Sequence, residues 1–521
     1  MYCNIVLTGD SLQKELDRVS NLRKRFIFED VINFLKADKS NDVGILYGVR
    51  RTGKTTLLLQ ACLELSKEMP IEELAFIYLN SSNIMSELFA DLKSLREDGK
   101  KYFFIDEITE VEDFSDSCSL LSDYFSGNGY KMLIAGTNSL AFNLVKKHEL
   151  YDRCKLFDMT WVPFVEYKYL YPSITIDDFL KRSGVASPIS RSPFKDKSST
   201  LDYIDTAIAK NINYSLERYR DGECFYSLRR LYSGDMLIGV INRVVQRTDH
   251  SFFAKDYRKK FKSAAYGTTR NNIDSRNKGT GIEPLSFLLN ETAISNEHAI
   301  YLGVDTESTK AMSVLQSELD GLRNHLLSIG VAKTFIGFKN GFEDYPVEEI
   351  VFTQPGLRYS VANAAQYAVE KQPVVRPIDF FRKEEVLTGI ESDILGRILE
   401  DTILIEIMNV VEKNWGCVSF ETPYVFRLNY GVKKEIYTVV VSPDSSICYL
   451  IEVKHSKAYV PEYQCRRLVD EGICADVTNA IKPSLIKRFV IYTGDNRYCE
   501  EYSIDYVNAE EFLLNIDKYI I

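Results

Sequence analysis

Short apolar runs alternate with longer helical patterns over the first 165 residues. Runs of this length, with helical segments between them, are typical of parallel strands that are buried on both faces. The pattern therefore predicts an α/β unit with a parallel sheet at 1–165. The predicted strands are VGILYG (43–48), LAFIYLN (74–80), YFFIDE (102–107), KMLIAGTN (131–138) and KLFDMT (155–160).

The middle of the chain has weaker periodicity and a different composition. Residues 182–200 are rich in Ser and Pro, which predicts an exposed loop. Residues 264–284 are rich in Gly, Asn and Thr and are the best linker candidate. Apolar residues that alternate spacings of three and four predict a helix over 306–330. We therefore predict a helical lid region with linkers at 166–280 and a winged-helix-like region at 281–375.

A second α/β pattern begins after about residue 380. A long helical run at 394–414 is followed by several strand-like runs, which predicts a further domain at 376–521. One of these runs, CYLIEVKHS, contains Glu452 and Lys454, which are two residues apart and so share one face of a strand. Two interpretations are open at this point: a metal-dependent phosphodiesterase corner, or the solvated end of a strand.

Composition and charge narrow the class of protein. The chain has 521 residues, 45% hydrophobic and 26% charged, as expected for a globular protein of several domains. No apolar run approaches the roughly 18–20 residues that span a bilayer, and no signal peptide opens the chain. The 10 cysteines are scattered without a C-x-x-C pair, which favours reduced thiols and a cytoplasmic location. The net charge of −10 argues against a protein that coats nucleic acid over its whole surface.

The strongest motif is GVRRTGKTT, a complete G-x-x-x-x-G-K-[ST] between a predicted strand and a predicted helix. Backbone N–H groups of such a loop, with the helix N-terminus behind it, form a cradle for phosphates. Lys54 should reach the β- and γ-phosphates of ATP, and the Thr55 hydroxyl should ligate Mg²⁺. The predicted cofactor-binding residues are Gly48, Val49, Arg50, Arg51, Thr52, Gly53, Lys54, Thr55 and Thr56.

Two of the other predicted strands end in polar side chains. Asp106 and Glu107 come directly after YFFI, and Asn138 follows KMLIAGT. Asp106 would hold Mg²⁺ with Thr55, and Glu107 would orient and polarise the attacking water. Asn138 stands where a sensor of the γ-phosphate is expected. These compatible roles argue against a chance P-loop match and predict a site of ATP hydrolysis.

YGVRRTGKTTLL, YFFIDEIT, IAGTNSLAF and YDRCKLFDMTWVPFVEY resemble the prokaryotic AAA-type ATPases of the archaeal-ATPase branch. In that family a Gly-Arg pair precedes the strand after the sensor, and a Pro-containing segment ending in Glu follows it. Here Asp152-Arg153 replaces Gly-Arg, and Pro163 and Glu166 follow. The resemblance makes Arg153 a candidate for a charge-stabilising arginine, in cis or across a subunit boundary. The alternative is a surface arginine near a helix end.

Many members of that family carry a C-terminal domain similar to the PD-(D/E)xK nucleases. LGRILEDTILIEIMN resembles the first helix of that domain, with Glu400 at the acidic position, and KKEIYTVVV and YLIEVK resemble its paired strands. The resemblance implies that Glu400, Glu452 and Lys454 surround a Mg²⁺ and an attacking water. The first paired strand usually reads Glu-hydrophobic-Asp, but here Tyr437 stands at the Asp position and is a poor ligand for a hard metal. We therefore expect a nuclease-like domain without activity, with an active nuclease as the alternative.

A basic stretch at 252–266 interleaves aromatic residues with cations. Cations bind phosphates and aromatic rings stack on unpaired bases, so the stretch is a candidate nucleic-acid contact. The helical spacing of Phe253, Tyr257 and Phe261 equally fits an amphipathic helix whose cations are solvated. The cations are Lys255, Arg258, Lys259, Lys260 and Lys262.

Three functions remain open beyond ATP hydrolysis. The chain could be an ATP-driven nuclease, a nucleotide-dependent nucleic-acid-binding protein, or a nucleotide-switched scaffold for protein interactions. The first requires a working metal site at Glu400 and Glu452, and the second requires the basic stretch to be accessible. A homo-oligomer is compatible with each of the three.

Overall fold

The computed structural model describes two α/β units, each built around its own sheet. The residues that the structure describes are 2–37, 42–111, 113–117, 119–137, 142, 153–212, 228–233, 237–238, 240–241, 316–343, 345–363, 380–416, 424–430 and 435–520.

The first sheet has six strands in the spatial order β1-β3-β4-β5-β2-β6. All except β1 run parallel, and β1 is an antiparallel edge strand on β3. The strands are β1 (Ile5–Leu7), β2 (Val43–Tyr47), β3 (Leu74–Tyr78), β4 (Tyr102–Asp106), β5 (Lys131–Gly136) and β6 (Cys154–Asp158). The five strands predicted between residues 43 and 160 are confirmed. Strand β1 was missed because three residues are too few to show a periodic pattern.

Helices cover both faces of this sheet. One face is covered by α1 (Gly9–Val19), α2 (Phe28–Lys36) and α3 (Lys54–Leu65), and the other by α4 (Met85–Glu97) and α5 (Phe114–Ser117). Four further helices follow in the chain and pack elsewhere: α6 (Phe164–Leu170), α7 (Ile176–Arg182), α8 (Lys197–Tyr203) and α9 (Arg229–Ser233). Alternate strand residues belong to different apolar clusters: Ile105 lies in the cluster on one face and Phe104 in the cluster on the other. This double burial explains why the strands read as continuous apolar runs.

The second sheet has eight strands in the order β13-β14-β12-β11-β10-β9-β7-β8. They are β7 (Ala332–Phe338), β8 (Val347–Phe352), β9 (Val425–Asn429), β10 (Glu435–Val441), β11 (Ile447–Lys454), β12 (Leu485–Tyr492), β13 (Arg497–Cys499) and β14 (Ile504–Asn508). Its helices are α10 (Gln316–Ser328), α11 (Pro355–Ala362), α12 (Phe380–Trp415), α13 (Pro461–Gln464), α14 (Glu471–Ile481), α15 (Ala509–Leu514) and α16 (Ile516–Ile520). The helices predicted within 306–330 and 394–414 correspond to α10 and α12.

The winged-helix interpretation of 281–375 is not confirmed. Strand β7 pairs antiparallel with β8 and parallel with β9, so one sheet crosses the predicted domain boundary at 375/376. Ile336 lies opposite Phe426 in this pairing, and both side chains are buried in the same apolar cluster. Because the sheet continues from β7 into β9, these apolar side chains are buried. If 281–375 formed a separate small domain, they would lie at an exposed sheet edge.

The two units share a core. Phe164 and Phe179, from α6 and α7, lie in one apolar cluster with Ile398 of α12 and Ile451 of β11. The Phe164 backbone N–H also donates to Glu406 Oε1 of α12 at 2.6 Å. Within the described ranges, no helix combines the length and the apolar character needed to cross a bilayer.

Candidate functional site

The P-loop connects the end of β2 to the start of α3, at the carboxyl edge of the first sheet. Gly48 has φ +149°, and a Cβ there would meet the Met159 carbonyl oxygen at 2.5 Å. Gly53, with φ +91°, lies in the left-handed region immediately before α3. Both positions require glycine because an L side chain would clash or be strained. The two glycines of the motif therefore shape the loop as well as admitting a phosphate.

Lys54 is almost fully buried beneath the loop. Its Nζ donates to the carbonyl oxygens of Gly48 at 2.8 Å and Val49 at 2.9 Å. Burial lowers the pKa of Lys54 to about 8, while Glu107 and Asp106 act in the opposite direction. The ammonium is thus folded back onto the loop, where an added anion would stabilise its charged form.

Asp106 ends β4 and faces the first turn of α3. The Thr55 hydroxyl donates to Asp106 Oδ2 at 2.6 Å. Asp106 is buried, and desolvation raises the pKa of its carboxyl, with the Thr55 hydrogen bond opposing the rise. A hydroxyl and a carboxylate at this separation are hard oxygen donors of the kind that Mg²⁺ accepts beside phosphate oxygens. The two residues therefore fit the predicted metal position.

Glu107 directly precedes the short turn Ile108–Glu110 and has a left-handed backbone conformation, with φ +57°. Its N–H donates to Asp106 Oδ1 at 3.1 Å, and the Thr137 hydroxyl donates to its Oε2 at 3.3 Å. Burial raises the pKa of the Glu107 carboxyl, and Lys54 opposes that rise. A non-glycine residue in this region is strained, and such strain clusters at functional sites. The turn directs the carboxyl toward the end of β5, where Asn138 follows; Asn138 itself lies outside the described residues.

A buried ion pair supports the loop from behind, and the sequence did not predict it. Arg25 donates to both carboxylate oxygens of Glu166, from Nε at 2.6 Å and from Nη2 at 3.0 Å. Its Nη1 donates to the Thr52 carbonyl oxygen at 2.5 Å, and its Nη2 also reaches the Trp161 carbonyl at 3.0 Å. One guanidinium therefore ties the P-loop to the segment after β6. Glu166 could have been suspected from its place after Pro163, but Arg25 carries no local signal.

The segment 183–187 lies over the outer side of the P-loop. The Ala186 N–H donates to the Arg51 carbonyl oxygen at 2.9 Å, and Val185 packs with Val49 in one apolar cluster. Gly184, at φ +112°, is close enough to Gln354 that a Cβ would meet its side chain at 2.6 Å. The prediction of an exposed loop at 182–200 is wrong here because the segment is held between the P-loop and the start of α11.

Arg153 does not lie at this site. It precedes β6, and its carbonyl accepts from Val43 N–H at the start of β2, at 3.0 Å. Strand β6 has five residues, so at roughly 3.3 Å per residue its two ends lie about 13–16 Å apart. The P-loop is at the other end of the sheet, and the Arg153 guanidinium pairs with Asp123. The prediction that Arg153 acts in cis is therefore wrong. An action across a subunit boundary stays a prediction, and so does the alternative of a surface arginine.

The sequence family described as "AAA domain" matches residues 40–168. This range holds the P-loop, Asp106, Glu107 and the end of β5, which are the parts that the geometry brings together. Residues 40–168 are therefore similar to AAA domains and are called the AAA domain below. This similarity supports ATP hydrolysis at the site. No curated protein matches the chain.

Solved structures similar to this chain include three nucleotide- or DNA-bound proteins. The ORC1 protein of Aeropyrum pernix in complex with DNA is 15% identical, with 73% of this chain and 100% of that chain covered and a TM-score of 0.23. AMPPCP-bound DnaA from Aquifex aeolicus is 14% identical, with 62% of this chain and 96% of that chain covered and a TM-score of 0.22. The ADP complex of S. cerevisiae Hsp104 is 13% identical, with 78% of this chain and 58% of that chain covered and a TM-score of 0.27. At this level the similarity carries no argument about what the present chain binds.

Outside the AAA domain, Glu400, Glu452 and Lys454 converge between α12 and β11. Glu452 is 1% exposed, and its carboxylate pairs with Lys454 and, at 3.4 Å, with Arg467 Nη1. Burial raises the pKa of Glu400 to about 7, with Lys454 as the largest opposing influence and Glu452 adding to the rise. The three residues singled out in the sequence thus form one corner, in which Arg467 is an additional cation.

The first of the paired strands, β10, runs antiparallel to β11. Thr438 lies opposite Ile451 in this pairing, and Tyr437 and Glu452 are the next residues along the two strands. In the described part of the chain, no three His, Cys, Asp or Glu side chains are grouped to hold a metal ion. Helix α7 of the first unit reaches the same corner, where His455 Nε2 and Asp177 Oδ1 are 2.9 Å apart. His455 is therefore a contact between the units.

The basic stretch at 252–266 lies outside the described residues. Its role as a nucleic-acid contact, through Lys255, Arg258, Lys259, Lys260 and Lys262, stays a prediction.

Proposed function

We propose that the AAA domain binds ATP with Mg²⁺ at the P-loop and hydrolyses it, with Glu107 as the general base. The observation that carries this proposal is the 2.6 Å hydrogen bond between Thr55 Oγ1 and Asp106 Oδ2. It brings a hydroxyl of α3 and a carboxylate of β4 to one point beside the phosphate cradle. P-loop enzymes use such a pair to hold the metal that bridges the β- and γ-phosphates.

Each side chain then has one task. Lys54 exchanges the carbonyls of Gly48 and Val49 for phosphate oxygens, whose negative charge offsets the desolvation of its ammonium. Glu107 takes a proton from the attacking water, and the Thr137 hydroxyl orients its carboxylate. A carboxyl whose pKa is raised by burial is a better base near neutral pH than an exposed one. Mg²⁺, when bound, neutralises charge on the phosphates.

Phosphate release by the purified full-length chain tests this function. We expect hydrolysis with Mg²⁺ and none after chelation with EDTA. Asp106→Asn should reduce the rate by at least about 10²-fold because an amide is a weak ligand for Mg²⁺. Arg18→Ala is the matched control, since Arg18 pairs with Glu15 on the exposed face of α1. Hydrolysis by Asp106→Asn at the parental rate would refute the proposed metal position.

For the C-terminal domain we propose a nuclease-like fold whose active site is catalytically silent. The support is that Lys454 and Arg467 already neutralise Glu452, while Tyr437 occupies the sequence position of an expected carboxylate. Mg²⁺ requires near-octahedral oxygen ligands and dehydrates reluctantly, so the loss of one carboxylate weakens such a site severely. The convergence of Glu400 with Lys454 favours the alternative of an active nuclease. Cleavage assays on the parent and on a Tyr437 variant decide between a silent domain and an active nuclease.

We further propose that the nucleotide state of the AAA domain regulates binding of nucleic acid through the basic stretch at 252–266. The support is the clustering of cations there: between Arg243 and Lys278 ten Lys or Arg stand against Asp249, Asp256 and Asp274. An electrophoretic mobility shift with single-stranded DNA or RNA, with and without a non-hydrolysable ATP analogue, tests this. If the nucleic acid is not shifted either with or without the analogue, a scaffold for protein interactions is the favoured function.

A further inference from the structure

A second cation of the P-loop, Arg50, reaches toward the turn that follows Glu107. Arg50 is the third residue of the motif, and its Nη2 donates to Glu110 Oε1 at 2.9 Å. Glu110 ends the turn Ile108–Glu110 that begins directly after Glu107. The Arg50 side chain therefore spans from the end of β2 to the turn behind β4, on the side of the site where the general base lies.

The electrostatics of the site agree with this placement. Burial is the main reason that the pKa of Lys54 is low, and the Arg50 charge lowers that pKa further. Burial likewise dominates the raised pKa of Glu107, and Arg50 opposes that rise. Arg50 therefore acts on both the phosphate-binding cation and the general base.

The pair with Glu110 leaves Arg50 able to change partner. Its side chain is 45% exposed, and an ion pair at such a position contributes little to stability. Arg51, the next residue of the loop, acts on Tyr203, and it is not among the charges that act on Glu107. Arg25, another arginine close to the loop, is buried and committed to Glu166 and to two backbone carbonyls. Arg153 lies at the far edge of the sheet. Of these four arginines, only Arg50 is both near Glu107 and exposed enough to change partner.

We propose that Arg50 is a catalytic residue of ATP hydrolysis that acts in cis, exchanging Glu110 for an oxygen of the γ-phosphoryl group as that group is transferred. This inference rests on the proposed ATP site. Water forms the new P–O bond as the bond to the β-phosphate oxygen breaks, ADP leaves, and the proton of the water passes to Glu107. Arg50 forms no covalent bond. Its guanidinium stabilises the negative charge that is spread over the oxygens of the transferring group.

Steady-state hydrolysis and ATP binding by Arg50→Ala and Arg50→Lys in the full-length chain test the proposal. We expect Arg50→Ala to lower kcat by about 10²-fold or more and to change the Kd for ATP by less than about threefold, since the interaction forms mainly in the transition state. The kcat of Arg50→Lys should lie between the kcat of the parent and that of Arg50→Ala, because an ammonium keeps the charge but not the planar set of donors of a guanidinium. Affinity for ADP with aluminium fluoride, an analogue of the transferring phosphoryl, should fall much more than affinity for a non-hydrolysable ATP analogue.

Glu110→Gln separates this catalytic role from a structural one. If Glu110 only holds Arg50 between turnovers, the variant should keep or raise kcat and leave the Kd for ATP nearly unchanged, because the carboxylate that competes for Arg50 is gone. If the pair is structural, Glu110→Gln should lower kcat as Arg50→Ala does, and the proposal is overturned. It is also overturned if Arg50→Ala keeps the parental kcat or, should that variant not fold, if Arg50→Lys does. Failure of the parent to bind or hydrolyse ATP would instead refute the proposed function, and Arg18→Ala is again the control.

Discussion

Glu166 and Arg25, 141 positions apart in the sequence, form a bidentate ion pair that is more than nine-tenths buried on both sides. The same guanidinium donates to the Thr52 carbonyl within the P-loop. A buried charge pair of this kind gives little net stability when intact, but removing one partner leaves the other charge unpaired in a desolvated place. The pair is thus a sensitive point through which the core of the AAA domain supports its nucleotide loop.

Glu166→Ala should destabilise the chain by about 3–5 kcal/mol, because it leaves the Arg25 guanidinium buried without its carboxylate. The midpoint and slope of chemical denaturation measure this change. Arg18→Ala, which breaks an exposed pair with Glu15, should change the free energy of unfolding by about 0–1 kcal/mol. Equal effects of the two variants would show that the buried pair is not critical to the fold.

Two substitutions in the AAA domain should separate ATP binding from turnover. Lys54→Ala should abolish tight ATP binding, since it removes the ammonium that faces the β- and γ-phosphates. Glu107→Gln should retain ATP binding and lose hydrolysis, because the amide keeps the shape of the side chain but cannot accept the proton. Calorimetry and phosphate release measure the two quantities on the same preparations. Unchanged ATP affinity in Lys54→Ala would refute the assignment of the site.

Glu406 should make stability depend on pH. It is 3% exposed, and burial raises the pKa of its carboxyl from 4.5 to about 7, with the Phe164 N–H opposing the rise. Between those values the folded state holds a proton that the unfolded state has lost, so the free energy of unfolding falls as pH rises from about 4.5 to 7. Glu406→Gln keeps an acceptor for Phe164 and removes the ionisation.

The expected result is that Glu406→Gln unfolds at a higher temperature than the parent at pH 8, by an amount equivalent to about 1–3 kcal/mol. At pH 4.5 this advantage should vanish, which serves as the control within the same experiment. Thermal unfolding followed at several pH values measures the difference. An advantage that does not change with pH would mean that Glu406 ionisation is not its cause.

The parent should show negligible Mg²⁺-dependent cleavage of single- or double-stranded DNA, with or without ATP. Tyr437→Asp should create Mg²⁺ binding that calorimetry detects, because it supplies the carboxylate that the corner of Glu400 and Glu452 lacks. Tyr437→Phe is the matched control, which removes the hydroxyl without adding a ligand. Robust cleavage by the parent that disappears in Lys454→Ala would show that the corner is a working active site.

Neutralising Lys259, Lys260 and Lys262 together should weaken binding to single-stranded nucleic acid. The slope of log K against log salt should become shallower by roughly 0.7 for each phosphate that the protein no longer neutralises, or about 0.9 on duplex DNA. Lys14, Lys36 and Lys93, which lie in α1, α2 and α4, provide a triple control with the same change in net charge. Equal salt slopes for the parent and the variant would leave a solvated amphipathic helix as the better interpretation.

The sequence by itself determined the parallel strands of the first sheet and the chemistry at their carboxyl ends. Each of these features is local: a run of apolar residues buried on both faces, a glycine-rich turn before a helix, and two acids at the end of a strand. Gly48, Lys54, Thr55 and Asp106 could be assigned because the motif and the strand carry their own spacing. For the same reason α12 was found from its periodicity, although its full extent was not.

Tertiary structure alone decided which distant segments meet. Arg25 looks like any surface cation until folding buries it against Glu166, and Arg153 looks close to the site until strand direction puts it at the opposite edge of the sheet. The pairing of β7 with β9 and the seating of Ala186 on the P-loop likewise join segments that are far apart along the chain. No local pattern encodes such contacts, because they depend on how complete elements pack and which polar groups that packing removes from water.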